Sequence, residues 1–385
     1  MTTERTKAAN SKAKAKAKAK AKAKIRNSLE NLFPPAPPGS YFELEDSGDE
    51  LENQSYEEYK DMGKRKPNIY GTGRLKLNHQ RQKILIMYFG NSSRSYSSNN
   101  QHERRMESFV QFIEQFMMME VIYEDHADAI NVNDSSFTLD SKKYDIEVTR
   151  KKKTKTRVEY KLEVFPLFDV LIHRKKAPFF SVLGLFDSIL IEDGFEVMGR
   201  ACGDCVCCVS LPLCKPNLQT LIGTACHELL HTIGIDHTSN SRCIMNAIVE
   251  DGWLFLCIEN LRKLQLFHDE AGKNNTTIYC SIKNDSGGLL QDVNGFIVSY
   301  HRNLLNMIQS NEIMRVIMES DVEWLQEVID RFIDGDDDTF GTDTTKPREL
   351  AEVEVDLVTP VTITDTDTDT VTLKSEIIDL TTSPG

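Results

Sequence analysis

The sequence lacks a hydrophobic run long enough to span a bilayer, and it lacks one near its start. Its first residues, MTTERTKAANSKAK, are polar and contain no secretory hydrophobic region. The longest apolar stretch, Phe179 to Ile191, is interrupted by Asp187 and falls short of the ~20 residues a membrane helix needs. From these absences the chain is expected to have no membrane-spanning helix and not to be secreted. The chain is expected to be intracellular, cytoplasmic or nuclear, with no membrane partner. Hydrophobic residues are also somewhat scarce, at 40% of 385. Part of the length is therefore expected to be disordered. Cysteine is present but odd in number, with 9 in all and five between Cys202 and Cys214. Without a signal peptide these read as thiols or metal ligands rather than disulfides.

The net charge of −13 is unevenly spread. Lysine occupies every even position from Lys12 to Lys24, with alanine between, and acids crowd the other end of the chain. Residues 1–66 read as disordered: the Lys-Ala run, then Pro34 to Gly39, then an acidic stretch from Glu43 to Asp61. The Lys-Ala run is either a solvated tail or a weak, salt-sensitive nucleic-acid contact or import signal. It has no aromatics for base stacking.

Order is expected from about Lys83. Lys83 to Phe89 is a near-continuous apolar run ending at Gly90, as in a buried strand. Met106, Phe109, Val110, Ile113, Phe116 and Met117 recur at three and four residues and predict an amphipathic helix. A second helix is expected over Val164 to His173, leading into a strand over Phe179 to Leu185. Strand, helix, helix, strand predicts an α/β fold. The basic stretch Arg150 to Arg157 reads as a solvated loop or hairpin tip, with a nucleic-acid patch as the other reading. Leu218, Leu221, Ile222, Ala225, Leu229 and Ile233 set out a further helix, and residues 296–333 predict one long helix or a pair. The Thr/Asp-rich stretch 334–385 reads as a disordered acidic tail.

The chemistry lies on the helix around residue 228. His227-Glu228-Leu229-Leu230-His231-Thr232-Ile233-Gly234-Ile235-Asp236-His237 fits H-E-x-x-H-x-x-G-x-x-H at every fixed position. Its chance occurrence in a chain of this composition is on the order of 10⁻⁵. His227 and His231 are four apart and share one helix face. Glu228 follows the first ligand and can reach a water without ligating the metal. Gly234 permits positive φ, so the helix can stop and bring His237 back as third ligand. Three ligands leave a position open for water, which marks a catalytic rather than a structural Zn²⁺. The expected activity is peptide hydrolysis with Glu228 as general base. Asp187 and Asp236 are read as turn or capping residues.

This string, followed by Cys243-Ile244-Met245, resembles the archaemetzincin family of metzincin zinc metallopeptidases. Cys257-Ile258-Glu259-Asn260-Leu261-Arg262-Lys263-Leu264-Gln265 is similar to the family's C-x-x-C-L-x-K-L-Q segment, and Ser181 to Leu185 to its preceding strand. The resemblance covers roughly residues 83–267 and extends to the helix expected after Phe296. It implies a metzincin-like zincin: a twisted mixed sheet, an active-site helix and a smaller C-terminal subdomain after Gly234. It also implies that Met245 is the Met-turn residue and that peptides or protein N-termini are substrates. The peptidase domain is expected over 67–285 and a C-terminal helical part over 286–333. Four cysteines hold a second, structural zinc in the family. Here Thr238 and Asn260 replace two of them, and only Cys243 and Cys257 remain as possible ligands. The cluster Cys202, Cys205, Cys207 and Cys208 is the available source of more.

Near the end of the chain, Ile377, Ile378, Asp379 and Leu380 resemble a SUMO-interacting motif, and Val353 to Val358 is a weaker copy. Such a peptide pairs with a sheet edge and fills a groove with alternate aliphatics. The alternative to a peptidase is therefore a weak or inactive metzincin-like binding protein recruited to SUMO-modified or chromatin-associated partners.

Overall fold

The computed structural model describes residues 54–65, 74–90 except 79, 100–126, 129–131, 135–139, 142–145, 148–150, 160–203, 206–214, 217–246 except 239 and 241, 253–272 and 293–334. The Lys-Ala run, the Pro-rich stretch, Cys205, most of the basic stretch after Arg150 and the SUMO-like segments Val353–Val358 and Ile377–Leu380 lie outside these residues.

In chain order the elements are α1 (Tyr56–Met62), β1 (Lys83–Phe89), α2 (Asn100–Met117), β2 (Glu120–Asp125), β3 (Ile130–Asn131), β4 (Ser136–Leu139), β5 (Lys142–Asp145), β6 (Val148–Arg150), β7 (Tyr160–Glu163), α3 (Val164–Arg174), β8 (Phe179–Phe186), β9 (Ile189–Glu192), β10 (Phe195–Val197), β11 (Gly199–Cys202), β12 (Val206–Ser210), α4 (Leu211–Cys214), α5 (Leu218–Thr232), α6 (Ile258–Gly272), α7 (Val293–Ser310), α8 (Glu312–Ile317) and α9 (Glu319–Asp334). The architecture is mixed α/β. The main sheet has the order β11-β12-β8-β1-β2. Its last four strands are parallel, and β11 returns antiparallel at one edge. A second sheet, β10-β9-β7-β6, is also mixed, and β3-β4-β5 form a small antiparallel one.

The continuous apolar runs of β1 and β8 follow from burial on both faces. Along β1, Ile84, Ile86 and Tyr88 enter the larger core cluster, while Leu85, Met87 and Phe89 enter the other. Each fully buried aliphatic or phenyl side chain contributes about 1.5–3 kcal/mol. The helices α2 and α5 cover one face of the sheet, and α3 covers the other, against β8 and β12. Strands β6 and β7 pair antiparallel on either side of the basic stretch, as a hairpin requires.

Two expectations need correction. Disorder over residues 1–66 does not hold for 54–65. Ser55 and Glu58 form a reciprocal capping box at the start of α1, and Tyr59 is fully buried. Residues 296–333 form three helices rather than one or two. The Asn311 side chain accepts the Met314 N–H and starts α8 after a break at Ser310. Phe296, Tyr300, Leu304 and Leu325 from these helices share one core cluster with β1 and α5. The C-terminal helices are thus part of the main core and not a separate one.

Two buried imidazoles in this core give the protein an acid limit. His268 donates to the Met117 carbonyl (3.0 Å) and His301 to the Ile297 carbonyl (2.8 Å). Burial pushes both rings down to about 4. The unfolded chain protonates them near 6.5, so protons favour unfolding below that pH. Stability is expected to be complete above about pH 6.5 and to fall until about pH 4, by up to ~3 kcal/mol per ring. Urea titrations across that range on wild type and His301→Gln measure each share. An identical pH slope in the two proteins would rule out His301 as a source.

Candidate metal centre

Helix α5 starts on an Asn217 cap, whose side chain accepts the Gln219 N–H at 2.9 Å. It packs on β11 and β12. Near its end, Ser181 of β8 donates to the Thr232 hydroxyl at 2.9 Å and fixes the last turn against the sheet. Gly234 has φ of +82°, the left-handed conformation that ends the helix. The chain then doubles back and brings His237 to the other two histidines.

The three Nε2 atoms converge. His227 lies 3.1 Å from both His231 and His237, and His231 lies 3.2 Å from His237. His227 Nδ1 donates to the Ile244 carbonyl (2.7 Å), and His231 Nδ1 donates to the Ile235 carbonyl (3.0 Å). A carbonyl only accepts, which assigns the proton of each ring to Nδ1 and leaves Nε2 bare. Bare nitrogens at this separation repel unless a cation sits among them. A tetrahedral zinc, with Zn–N of about 2.0–2.1 Å, sets its nitrogens roughly 3.3 Å apart, so the triangle fits. Burial lowers all three pKa values: His227 to about 4, His231 well below its usual value and His237 more mildly. The rings are neutral at pH 7, the form that ligates. Among the described residues, His227, His231 and His237 are the one group of three or more such side chains able to hold a metal ion.

Glu228, next to His227 on the helix, is 8% exposed and lies against β11. Burial is the first cause that pushes its carboxyl up to about 8; Glu192 adds to it, while Arg200 and the Ala201 N–H oppose it. A cation on the histidines would draw it down again. A Cβ placed on Gly199 would come within 2.7 Å of Glu228 Cγ and 2.8 Å of its Oε1. Only glycine leaves room there for the carboxylate. Sequence reasoning missed Gly199 and Ala201, since nothing in GRAC marks an edge strand beside a helix.

Met245 is fully buried in the turn that follows the third histidine. Its carbonyl accepts the Thr238 N–H (2.9 Å), and the neighbouring Ile244 carbonyl holds His227. The turn therefore touches the histidine cluster through His227 and through the segment just after His237.

Cys243 and Cys257 do come together. Cys243 Sγ accepts the Cys257 N–H (3.3 Å) and the Asn260 side-chain amide (3.4 Å). Burial opposes charge on Cys243. Donors from the Cys257 thiol, the Cys257 and Met245 amides and Asn260 outweigh it and lower its pKa, while the Cys257 thiol is raised. Asn260 thus acts as a hydrogen-bond donor to sulfur, the opposite of a ligand. This arrangement does not fit a second zinc. Among the described residues no further cysteine, histidine or carboxylate completes a group with them, and Cys207 and Cys208 face opposite sides of the sheet. Cys226, beside His227, is fully buried in the core.

Asp236 accepts the His237 N–H (2.8 Å) and shapes the turn, as expected. No helix among the described residues is long and apolar enough to cross a membrane. Compared with protein-family models and with curated proteins, the chain matches none.

Proposed function

We propose that this chain is a zinc metallopeptidase of the metzincin type, similar to the archaemetzincins. The observation that carries the proposal is the convergence of three half-buried Nε2 atoms, two of them from the helix that also carries the buried Glu228 carboxyl and the third from the turn that follows it. His227, His231 and His237 would hold the metal. Zinc, when bound, supplies Lewis acidity to a scissile carbonyl and lowers the pKa of a water.

The chain's own groups do the rest. The Glu228 carboxylate takes a proton from the attacking water and returns it to the leaving amine. Its burial against Gly199 fixes where that proton is held. The Nδ1–H bonds of His227 and His231 keep their rings in the ligating tautomer. Strand β11 is the edge of the main sheet, and an extended peptide can pair along its outer side. A peptide held there lies beside Glu228. The segment Leu261-Arg262-Lys263-Leu264-Gln265, which supports the family resemblance, sits in α6. Short peptides or exposed N-termini are the proposed substrates, and Met245 the proposed hydrophobic floor. The binding-protein alternative would place SUMO on the tail around Ile377 to Leu380. The intact histidines and Glu228 favour the enzyme.

A peptide-library digest tests the reading. Cleavage by purified protein should stop with a zinc chelator and return on adding Zn²⁺. Absence of cleavage in the zinc-loaded protein would favour the binding role.

A further inference from the structure

The turn that carries the third histidine is closed by local bonds, Gly234 N–H to the His231 carbonyl at 2.9 Å and Ile235 N–H to the Leu230 carbonyl at 3.1 Å, and it has a second set of partners far away in the chain. These lie about 180 residues upstream. Gln54 Nε2 donates to the Gly234 carbonyl at 3.0 Å, and Gln54 Oε1 accepts the Asp236 N–H at 3.3 Å. One side-chain amide thereby satisfies both edges of the Gly234–Asp236 backbone. The Tyr59 hydroxyl donates to the preceding carbonyl, Ile233, at 3.0 Å. Gln54 is itself fixed, because the buried Lys263 ammonium donates to its carbonyl.

A second layer locks this piece from behind. The Arg74 guanidinium lies 4.3 Å from the Tyr59 ring centre and pairs with Glu270 at 3.1 Å. Its Nε donates to the Tyr59 carbonyl at 3.3 Å. Its stem passes so close to Gly234 that a Cβ there would meet Arg74 Cβ at 3.0 Å. The amide of Tyr56 donates to Glu259 of α6 at 3.0 Å. Both ends of the metal triangle depend on what is held. His237 directly follows Asp236, and His231 Nδ1 takes its orienting acceptor from Ile235 in the middle of the turn.

We propose that residues 54–65 and Arg74 form a brace for the metal-ligand turn, with Gln54 as the positioning residue for His231 and His237. The proposal rests on the histidine triangle being a metal site. It does not depend on the reaction. Outer hydrogen bonds to metal ligands typically govern affinity by 10–100-fold, and the same range is expected here.

The test uses the full chain and zinc alone. Zinc affinity is measured by chelator competition on wild type, Gln54→Met and Tyr59→Phe. Gln54→Met keeps the volume and removes both hydrogen bonds; it should weaken zinc binding about 10–100-fold. Tyr59→Phe keeps the buried ring and should cost roughly 3- to 10-fold. Affinity equal to wild type in Gln54→Met would show that the residue only fills space, and would overturn the proposal. Hydrogen exchange on the metal-free proteins gives a readout independent of zinc. The Asp236 amide should exchange faster in Gln54→Met, while amides of β1 and β8 keep their protection. An unchanged Asp236 rate would overturn the brace. Wild type that binds no zinc but shows the exchange difference would sink the metal reading and leave the brace standing.

Discussion

Glu228→Gln is expected to keep its zinc and to lose peptide hydrolysis by about 10²–10⁴ in kcat, the usual cost of a missing general base. Glutamine has nearly the same shape, so it can occupy the space beside Gly199 and accept the Ala201 N–H. It cannot take up a proton at pH 7. Burial already disfavours the charge on Glu228, which it pushes up to about 8. A neutral side chain there should therefore cost little stability. The three histidines are untouched, and the Nδ1 bonds of His227 and His231 run to Ile244 and Ile235 rather than to Glu228. Metal content and kcat are measured on the same preparation. Undiminished turnover in this variant would assign the base to another group.

His231→Ala is expected to empty the site. A four-ligand protein zinc site is worth roughly 10–16 kcal/mol, which puts one ligand at about 3 kcal/mol and its loss at ~10²-fold or more in affinity. Two imidazoles remain, a poor tetrahedral set. The loss carries a stability signature. A ligand at a hundred times its Kd stabilises the folded state by about 2.7 kcal/mol. Wild type should therefore melt at a higher temperature with zinc than without, and His231→Ala should melt at one temperature in both. The metal-free variant should also be slightly weakened, because the Ile235 carbonyl loses its donor. Elemental analysis of wild type is expected to give one zinc per chain. A variant that still holds one equivalent would move the site elsewhere.

The central strands and helices were legible because burial on both faces writes itself as unbroken apolar runs. Lys83–Phe89 and Phe179–Phe186 are strands almost to the residue, and Val164–Arg174 and Leu218–Thr232 are helices. The histidines were legible for a different reason: ligand chemistry demands fixed residue types at fixed spacing. Strand β11 was not legible. It is four residues long, half exposed, and carries no alternation. Helix α1 sits in an acidic segment whose composition signals disorder. The local sign that contradicts this is Ser55-x-x-Glu58, a capping box. The partnership of Gln54 with Gly234 has no sequence signature at all, since a single glutamine far along the chain reports nothing of its contact. The pairing of Cys243 with Asn260 shows the same limit. The missing cysteine could be read, but the hydrogen bond in its place could not.

The hydrogen bonds between Gln54 and the turn also bear on how the centre assembles in time. His227 and His231 are four residues apart and share a face as soon as one helical turn forms. The third ligand waits for a turn whose partners include Gln54, 182 residues from Asp236. Closing a loop of that length costs entropy before any contact repays it. The fully braced triangle is therefore expected to be complete only after the two distant segments dock. Tight zinc binding by refolding protein should then track the arrival of α1.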